Sequence, residues 1–271
     1  MYKCVKSTII KDNTLNGGWG MEIYWGVVMF LFGITLGSFY NVVGLRVPKK
    51  IPFSNDRSYC PTCEHQLSWS ELIPVLSFVL QSGKCRHCKT KISFIYPVIE
   101  LATGLLFLFS YIQLGFSLEL ITALIFMSML MIIFVSDLHY MLIPNKILLF
   151  FLPLLVIMRV LVPLDPWYNS IIGAVVGYGL LALIIILSNG GMGAGDMKLF
   201  GVLGIVLGLG NTLLTFFLAS LFGAVIGIIL KMRQKIGKGQ PIPFGPYIVV
   251  AAIIAYFYGD KIIDFYLSFL S

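Results

Sequence analysis

Eight apolar runs, separated by short polar breaks, make up most of the chain. A helix needs about 20 apolar residues to cross a bilayer, and most of these runs approach that length. The pattern therefore predicts an all-α polytopic membrane protein with about eight transmembrane helices. The runs lie at 23–43, 96–113, 118–136, 143–163, 169–188, 197–210, 211–230 and 243–259.

The sixth run is the shortest. Only about fifteen residues separate Asp196 from Gly210, so a re-entrant segment or a locally thinned bilayer fits as well as a full span. An even number of spans is favoured. Fusing the sixth and seventh runs would place the basic loop at 231–238 on the opposite side from the other basic loop, at 44–95.

The composition excludes two other classes of protein. Of the 271 residues, 58% are hydrophobic and only 11% are charged, with a mean hydropathy of +0.93. A soluble enzyme with one anchor would be more polar, and a disordered chain would carry more charge and fewer aromatic residues. Residues 1–22 are expected to form a polar tail without the features of a cleaved signal peptide, and Met21 is an alternative start of translation.

The net charge of +7 is interpreted as a signal of membrane orientation. Basic residues mark the cytoplasmic loops of polytopic proteins, so no nucleic-acid partner is expected. If the first span runs from outside to inside, fourteen of the nineteen Lys and Arg residues fall on the cytoplasmic side. They are Arg46, Lys49, Lys50, Arg57, Lys84, Arg86, Lys89, Lys91, Lys146, Lys198, Lys231, Arg233, Lys235 and Lys238.

The one long polar stretch, at 44–95, holds two Cys-x-x-Cys pairs separated by 21 residues. This spacing is close to that of zinc sites built from two such pairs. Four thiolates fill a tetrahedral shell, so we expect a structural zinc ion, with His65 and His87 as surface residues. Disulfides or redox-active dithiols are the alternative, which a cytoplasmic position disfavours. The expected ligands are Cys60, Cys63, Cys85 and Cys88.

Acidic residues near apolar runs are rare and usually functional. Most of them lie at predicted outer interfaces, where a carboxylate reaches water. Glu100 lies within the second run, and is expected either to pair with a cytoplasmic Lys or Arg or to contact substrate or cofactor. The interfacial acids are Glu22, Glu119, Asp165, Asp260 and Asp264.

Asp137 and Asp196 are the candidate catalytic residues. The order of spans places both at the cytoplasmic side, so two carboxylates 59 residues apart share one membrane depth. Two such acids can share a proton and activate water against a peptide carbonyl, as in aspartic proteases. Unrelated interfacial aspartates, an ion pathway in a transporter, and a scaffold whose insert docks partners are the alternatives.

Each of the two aspartates lies beside a break in the helical pattern. Gly193 and Gly195 precede Asp196 and would let a peptide backbone approach closely. Pro144 disfavours helical geometry in the residue before it, so the helix that carries Asp137 is expected to end there. The breaks favour a binding site for an extended peptide at both acids.

Several short motifs follow one another along the chain. They are Gly37-Ser38-Phe39-Tyr40-Asn41-Val42-Val43 with Arg46 and Pro48, the two cysteine pairs, Ile73-Pro74-Val75-Leu76-Ser77, Tyr96-Pro97-Val98-Ile99-Glu100, Asp137 with Ile143-Pro144, Gly193-Ala194-Gly195-Asp196-Met197-Lys198, and Pro243-Phe244-Gly245-Pro246. In this order they resemble the bacterial type IV prepilin peptidases, which are membrane aspartic proteases with a Gly-x-Gly-Asp motif. The match covers nearly all of the chain after Met21. Asn145 departs from the family, which often has an acid there.

The resemblance implies a bacterial inner-membrane enzyme that removes the basic leader from prepilins or pseudopilins at the cytoplasmic face. Residues 96–271 would be the peptidase core, with Asp137 and Asp196 catalytic. Many family members also methylate the new N-terminus with S-adenosylmethionine, an activity associated with the cysteine insert. No Gly-rich loop locates this cofactor in the sequence, so it is expected by resemblance alone. Substrates from competence, motility or secretion systems all stay open.

Overall fold

The computed structural model describes residues 18–51, 58–188, 191–233 and 243–269. Most of the predicted tail, together with Arg57, Lys235 and Lys238, lies outside them. Apart from two isolated β-bridges, the regular secondary structure of the described residues is helical, which confirms the all-α class. The helices are α1 (Gly18–Arg46), α2 (Leu76–Leu80), α3 (Ile95–Leu114), α4 (Leu118–Tyr140), α5 (Asn145–Leu161), α6 (Asn169–Leu187), α7 (Ala194–Met232) and α8 (Gly245–Ser268), with a 3-10 turn at Trp69–Glu71.

Five of the helices, α1, α3, α4, α6 and α7, are long and apolar enough to cross a membrane. Helix α1 starts at Gly18, earlier than the predicted span at 23–43, and extends to Arg46. The polar insert is therefore slightly shorter than predicted, running from the end of α1 to the start of α3 at Ile95. Its described residues contain the 3-10 turn, the short helix α2 and the two isolated β-bridges.

Helix α4 lies at the centre of the bundle, where it packs against α1, α3, α5 and α8. Its N-terminus is capped by Ser117, whose hydroxyl accepts the backbone N–H of Leu120 at 3.1 Å. Nearly every residue from Phe126 to Asp137 is buried, as expected for a helix that is apolar on all sides. Helix α4 thus carries Asp137 into the interior of the bundle.

Helix α7 folds back on itself at Gly208. The rings of Phe200 and Phe216 lie 6.0 Å apart, whereas sixteen residues of straight helix would separate them by about 24 Å. A Cβ on Gly177 of α6 would lie 2.6 Å from Phe200 O and 3.0 Å from Thr212 Cγ2, so both arms contact the same point. The sixth and seventh predicted runs are therefore two antiparallel arms, which confirms their division into two segments.

The turn of this hairpin is stabilised by neighbouring side chains. Gly208 has φ 75° and ψ 179°, a conformation essentially limited to glycine. The break leaves backbone groups without helical partners, and two of them are satisfied from outside the helix: Leu209 N–H donates to Asn169 Oδ1 at 2.9 Å, and Arg159 Nε donates to Val206 O at 3.1 Å. The predicted break at Gly210 lies two residues too late.

Glu119 does not simply face water, as the sequence predicted. Its carboxylate accepts two hydrogen bonds from Arg159, at 2.8 and 3.1 Å, and one from the hydroxyl of Tyr256 at 2.6 Å. The guanidinium of Arg159 is almost fully buried. This cluster joins α4, α5 and α8 at the end of the bundle opposite Asp137. The buried position of Arg159 also lets it pair with Val206 O beside the hairpin turn.

Candidate active site and metal cluster

Asp137 lies in the last turn of α4 and is only 5% exposed. The helix ends at Tyr140 because Met141 adopts a left-handed conformation and donates its N–H to Asp137 O at 2.8 Å. Ser136 then donates to Leu142 O at 2.6 Å, and Pro144 precedes α5 as its N-cap. The predicted break after Asp137 is thus observed, and it places a short connection beside the acid.

Asp196 lies in the first turn of α7 and is 9% exposed. Gly193 precedes this helix as its N-cap, and a Cβ there would lie 3.1 Å from Asp196 Oδ2. A Cβ on Gly195 would lie 3.0 Å from Cβ of Ile143. Both predicted glycines therefore leave space at the site, and Gly195 allows the start of α7 to approach the segment that follows Asp137.

The two aspartates lie near enough for the charge of Asp137 to act on Asp196, in agreement with the predicted shared membrane depth. Asp137 comes from α4 and Asp196 from α7, and both side chains are buried, so water screens their charges little. Two carboxylates in such a setting are most stable when they share one proton. The arrangement can therefore supply a proton acceptor and a proton donor at one place.

The start of α8 contributes a third group, which the sequence did not identify. The backbone N–H of Gly245 donates to Asp137 Oδ2 at 2.8 Å, across 108 residues of sequence. A Cβ on this residue would lie 2.6 Å from the same oxygen, so no side chain fits here. A carboxylate at a helix N-terminus is favourable because the partial charge of that end is positive. The only sign of this contact in the sequence was the motif at 243–246, to which no role was assigned.

Lys198 and Asn145 meet next to the aspartates. The ammonium of Lys198 donates to Asn145 Oδ1 at 3.0 Å, and so connects the first arm of α7 to the start of α5. Asn145 is the position where the chain departs from the family pattern. An amide can accept this hydrogen bond as an acid would, but it leaves the positive charge of Lys198 without a counter-charge at that contact.

The four predicted cysteines form one cluster, with their sulfur atoms all within 4.8 Å of one another. They are free thiols, separated by 3.7 Å between the Sγ atoms of Cys60 and Cys88 and by 3.9 Å between those of Cys63 and Cys85. An ion about 2.3 Å from each of four sulfurs would hold them about 3.8 Å apart in a tetrahedron. The cluster therefore has the donors and spacing to hold a metal ion, and the disulfide alternative is wrong for this geometry.

The pKa of Cys88 is lowered to about 6, chiefly by a hydrogen bond with the side chain of Thr90, whose Oγ1 lies 3.2 Å from the sulfur. Thiolate is the form of cysteine that binds metal. The rings of His65 and His87 stack on each other, with centroids 3.6 Å apart, instead of joining the sulfur cluster. Cys88 is thus prepared for coordination, while the two histidines pack beside the site.

Among the described residues, Glu100 forms no ion pair with a Lys or Arg, the first of the two contacts that the sequence predicted. It is buried, and its Oε2 accepts the N–H of Val75 at 2.7 Å. Val75 has φ 61° and ψ −51°, and Leu76 N–H donates to Pro74 O at 2.6 Å, which defines a strained γ-turn. Glu100 therefore fastens the insert to the membrane helices through this turn.

Two family models match the chain. The Bacterial Peptidase A24 N-terminal domain matches residues 31–114, which contain most of α1, the insert and α3. The Type IV leader peptidase family matches residues 124–228, which contain both aspartates and the hairpin of α7. No solved structure matches the chain significantly.

Curated relatives cover most of the chain. It is 47% identical over 241 residues to the Prepilin leader peptidase/N-methyltransferase of Bacillus subtilis (strain 168), which spans 89% of this chain and 97% of that protein. Proteins of the same name from Aeromonas salmonicida (strain A449) and Pseudomonas aeruginosa are 35% and 33% identical, over 91% and 88% of this chain and 94% and 92% of their own lengths. With helices, paired aspartates and cysteine cluster all in place, this membrane protein belongs to the type IV leader peptidase family.

Proposed function

We propose that this protein is an aspartic endopeptidase that removes the leader peptides of prepilins or pseudopilins, with Asp137 and Asp196 as its catalytic residues. The observation that carries the proposal is the meeting of these two buried carboxylates, from α4 and α7, in a chain of the leader peptidase family. Neither aspartate forms an ion pair with a basic side chain in the part of the chain that the structure describes. A buried pair of acids of this kind is costly unless it has a function.

The chemistry follows from one shared proton. One carboxylate takes a proton from water as its oxygen attacks the scissile carbonyl, while the protonated partner donates a hydrogen bond to the carbonyl oxygen. The C–N bond then breaks, and the leaving nitrogen takes a proton as the new N-terminal amine. Gly245 N–H holds Asp137 in one orientation throughout, and the glycines at 193 and 195 leave room for an extended substrate backbone.

The charge pattern supports an active site at the cytoplasmic face of the bacterial inner membrane. Asp196 begins the hairpin of α7, and Lys231, at the end of its second arm, returns to the same side. Both positions then share a side with the basic insert, as the positive-inside rule requires. A prepilin whose apolar segment lies in the bilayer would present its leader to this face.

We propose zinc as the metal of the four-cysteine cluster, in a domain that comprises residues 44–95. Four sulfur donors in a tetrahedron favour zinc, and they leave no open coordination position, so the ion would stabilise the fold of the insert without taking part in cleavage. The described part of the insert buries few large apolar side chains, and a metal would supply much of its folding free energy.

We further propose that the protein methylates the N-terminus that it exposes, as the names of its relatives indicate for those proteins. With S-adenosylmethionine as methyl donor, the lone pair of the amine forms an N–C bond while the S–C bond breaks. Its electrons stay on sulfur, which becomes a neutral thioether, and the amine loses a proton to water. This reaction needs no group of the aspartate pair.

The test is to incubate purified full-length protein with a candidate prepilin and S-adenosylmethionine carrying a labelled methyl group. The proposal predicts a product shortened by the leader and labelled at its new N-terminus. Mass spectrometry distinguishes this product from a methylated but uncut prepilin. Intact prepilin after prolonged incubation, with zinc and the fold retained, would favour the scaffold or transporter interpretation instead.

A further inference from the structure

A groove of about 600 Å³ lies among the membrane helices α3, α4 and α8. Every side chain that lines it is apolar. Its rim faces the bilayer, since Val98, Leu105 and Ile112 of α3 are all exposed. The groove is therefore a surface within the membrane that an apolar ligand can occupy.

The α4 side of the groove leads to Asp137. Met131 and Phe134 line the groove, and Asp137 follows Phe134 three residues later on the same helix. Residues three apart are neighbours on a helix surface, and they are separated by about 4.5 Å along its axis. The groove thus begins about one helical turn from the first candidate catalytic acid.

The α8 side leads to the same place. Val249 and Ile253 line the groove, and Gly245 lies four residues before Val249. A spacing of four residues places all three on one stripe of the helix. Because Gly245 N–H donates to Asp137 Oδ2 at 2.8 Å, the linings on α4 and α8 converge at the contact that holds this carboxylate.

The α3 side sets the length and direction of the groove. Its lining positions recur every three or four residues over about 21 Å of helix, and they include Val98, Ala102, Leu105, Phe109 and Ile112. Towards the outer face, the rings of Phe109 and Phe257 of α8 lie 4.8 Å apart and bring the two helices together. The groove is therefore narrowed at the end away from the aspartates.

We propose that this groove binds the apolar helix of the prepilin and so delivers the adjoining peptide bond to Asp137 and Asp196. The assignment rests on the proposed function. A helix satisfies its own backbone groups and needs no polar partner in the groove, and the small side chain of Ala102 allows it to approach closely. A lipid chain would fill the same space, but only a substrate whose leader adjoins its apolar segment requires the groove to lead to the acids.

The first test is the kinetics of leader removal by purified full-length protein. Leu105→Trp places a bulky ring in the groove at a position that is 51% exposed, so the packing of the helices should survive. It should raise KM for the prepilin about tenfold and leave kcat within about twofold, because the groove binds a part of the substrate that does not react. Leu183→Trp is the matched control, since Leu183 of α6 is 53% exposed and lies outside the lining. An unchanged KM for Leu105→Trp, or an equal rise in both variants, would overturn the assignment.

Photo-crosslinking identifies the occupant directly. The photoreactive residue p-benzoylphenylalanine replaces Leu105, or Leu183 as the control, in a protein that also carries Asp196→Asn so that the prepilin stays uncut. The expected result is a prepilin adduct from position 105 that maps to the apolar segment, and none above background from position 183. Adducts with lipid alone at position 105, or equal prepilin adducts at both positions, would overturn the assignment. Failure of the proposed function is distinct, since the wild-type protein would then leave prepilin uncut, whereas the adducts form without cleavage.

Discussion

At the scale of single residues, the contact between Gly245 and Asp137 defines the candidate site most closely. The sequence identified Asp137 from its predicted depth in the membrane, and it identified Gly245 only as part of a motif. Their contact joins residues 108 positions apart, and no local pattern encodes such a pairing. Asp137 and Asp196 could be predicted because charge is so scarce in the chain that each buried acid requires an explanation.

Gly245→Ala is expected to abolish most of the activity while leaving the fold intact. The new methyl group would lie 2.6 Å from Asp137 Oδ2, and the carboxylate would have to move. A displacement of about 1 Å in an active site costs on the order of 100-fold in rate. The measurement is the rate of leader removal by purified protein, normalised to the amount in the membrane fraction.

Gly179→Ala is the matched control, because a Cβ at this helical glycine meets nothing within 4 Å. Its rate of leader removal should be that of the wild type. A Gly245→Ala protein that cleaves at the wild-type rate would show that the N–H contact does not position Asp137.

At the scale of elements, the hairpin of α7 decides the topology. The sequence predicted two runs and a preference for an even count from the position of basic residues. It placed the break near Gly210, because the hydrophobic pattern continues through the turn without a polar residue until Asn211. The true position at Gly208 depends on Asn169 and Arg159, which bind the turn from other helices.

Gly208→Ala is predicted to destabilise the protein by about 3 kcal/mol, since a side chain at this φ is strained and its Cβ would meet Asn169 Nδ2 at 2.7 Å. Gly179→Ala should be neutral or slightly stabilising, because alanine favours helix. Denaturant midpoints of the detergent-solubilised proteins give the comparison. Equal midpoints for the two variants would contradict the hairpin.

The metal cluster was predictable from spacing alone, whereas the attachment of the insert was not. Removing the metal with a chelator, or replacing Cys60 with Ser, is expected to loosen the insert and expose its lysines and arginines to trypsin. The membrane helices should stay intact, because their packing does not involve the cluster. Fragment patterns on a gel give the readout.

Cys4→Ser provides the control for this experiment, as Cys4 belongs to neither of the two Cys-x-x-Cys pairs. It should retain the metal and the resistance of the wild type to trypsin. An insert that resists trypsin equally with and without metal would argue against a structural role of the ion.

At the scale of the whole molecule, three parts of the structure have separate roles. The bundle around α4 buries the aspartate pair, the outer cluster of Arg159, Glu119 and Tyr256 joins helices at the opposite end, and the insert is fastened by Glu100. The outer cluster and the Glu100 contact were not predictable, because both satisfy buried polar groups through partners distant in sequence.

The central claim is tested most directly by the rate of prepilin leader removal in three variants, Asp137→Asn, Asp196→Asn and Asp264→Asn. Asparagine keeps the shape of the side chain and removes its ability to exchange a proton, whereas Asp264 is an exposed acid near the C-terminal end of α8. The account predicts a rate at least about 1,000-fold below the wild type for each of the first two, in keeping with the loss of a general acid or base. It predicts a wild-type rate for Asp264→Asn. Leader removal at the wild-type rate by Asp137→Asn or Asp196→Asn would contradict the assignment.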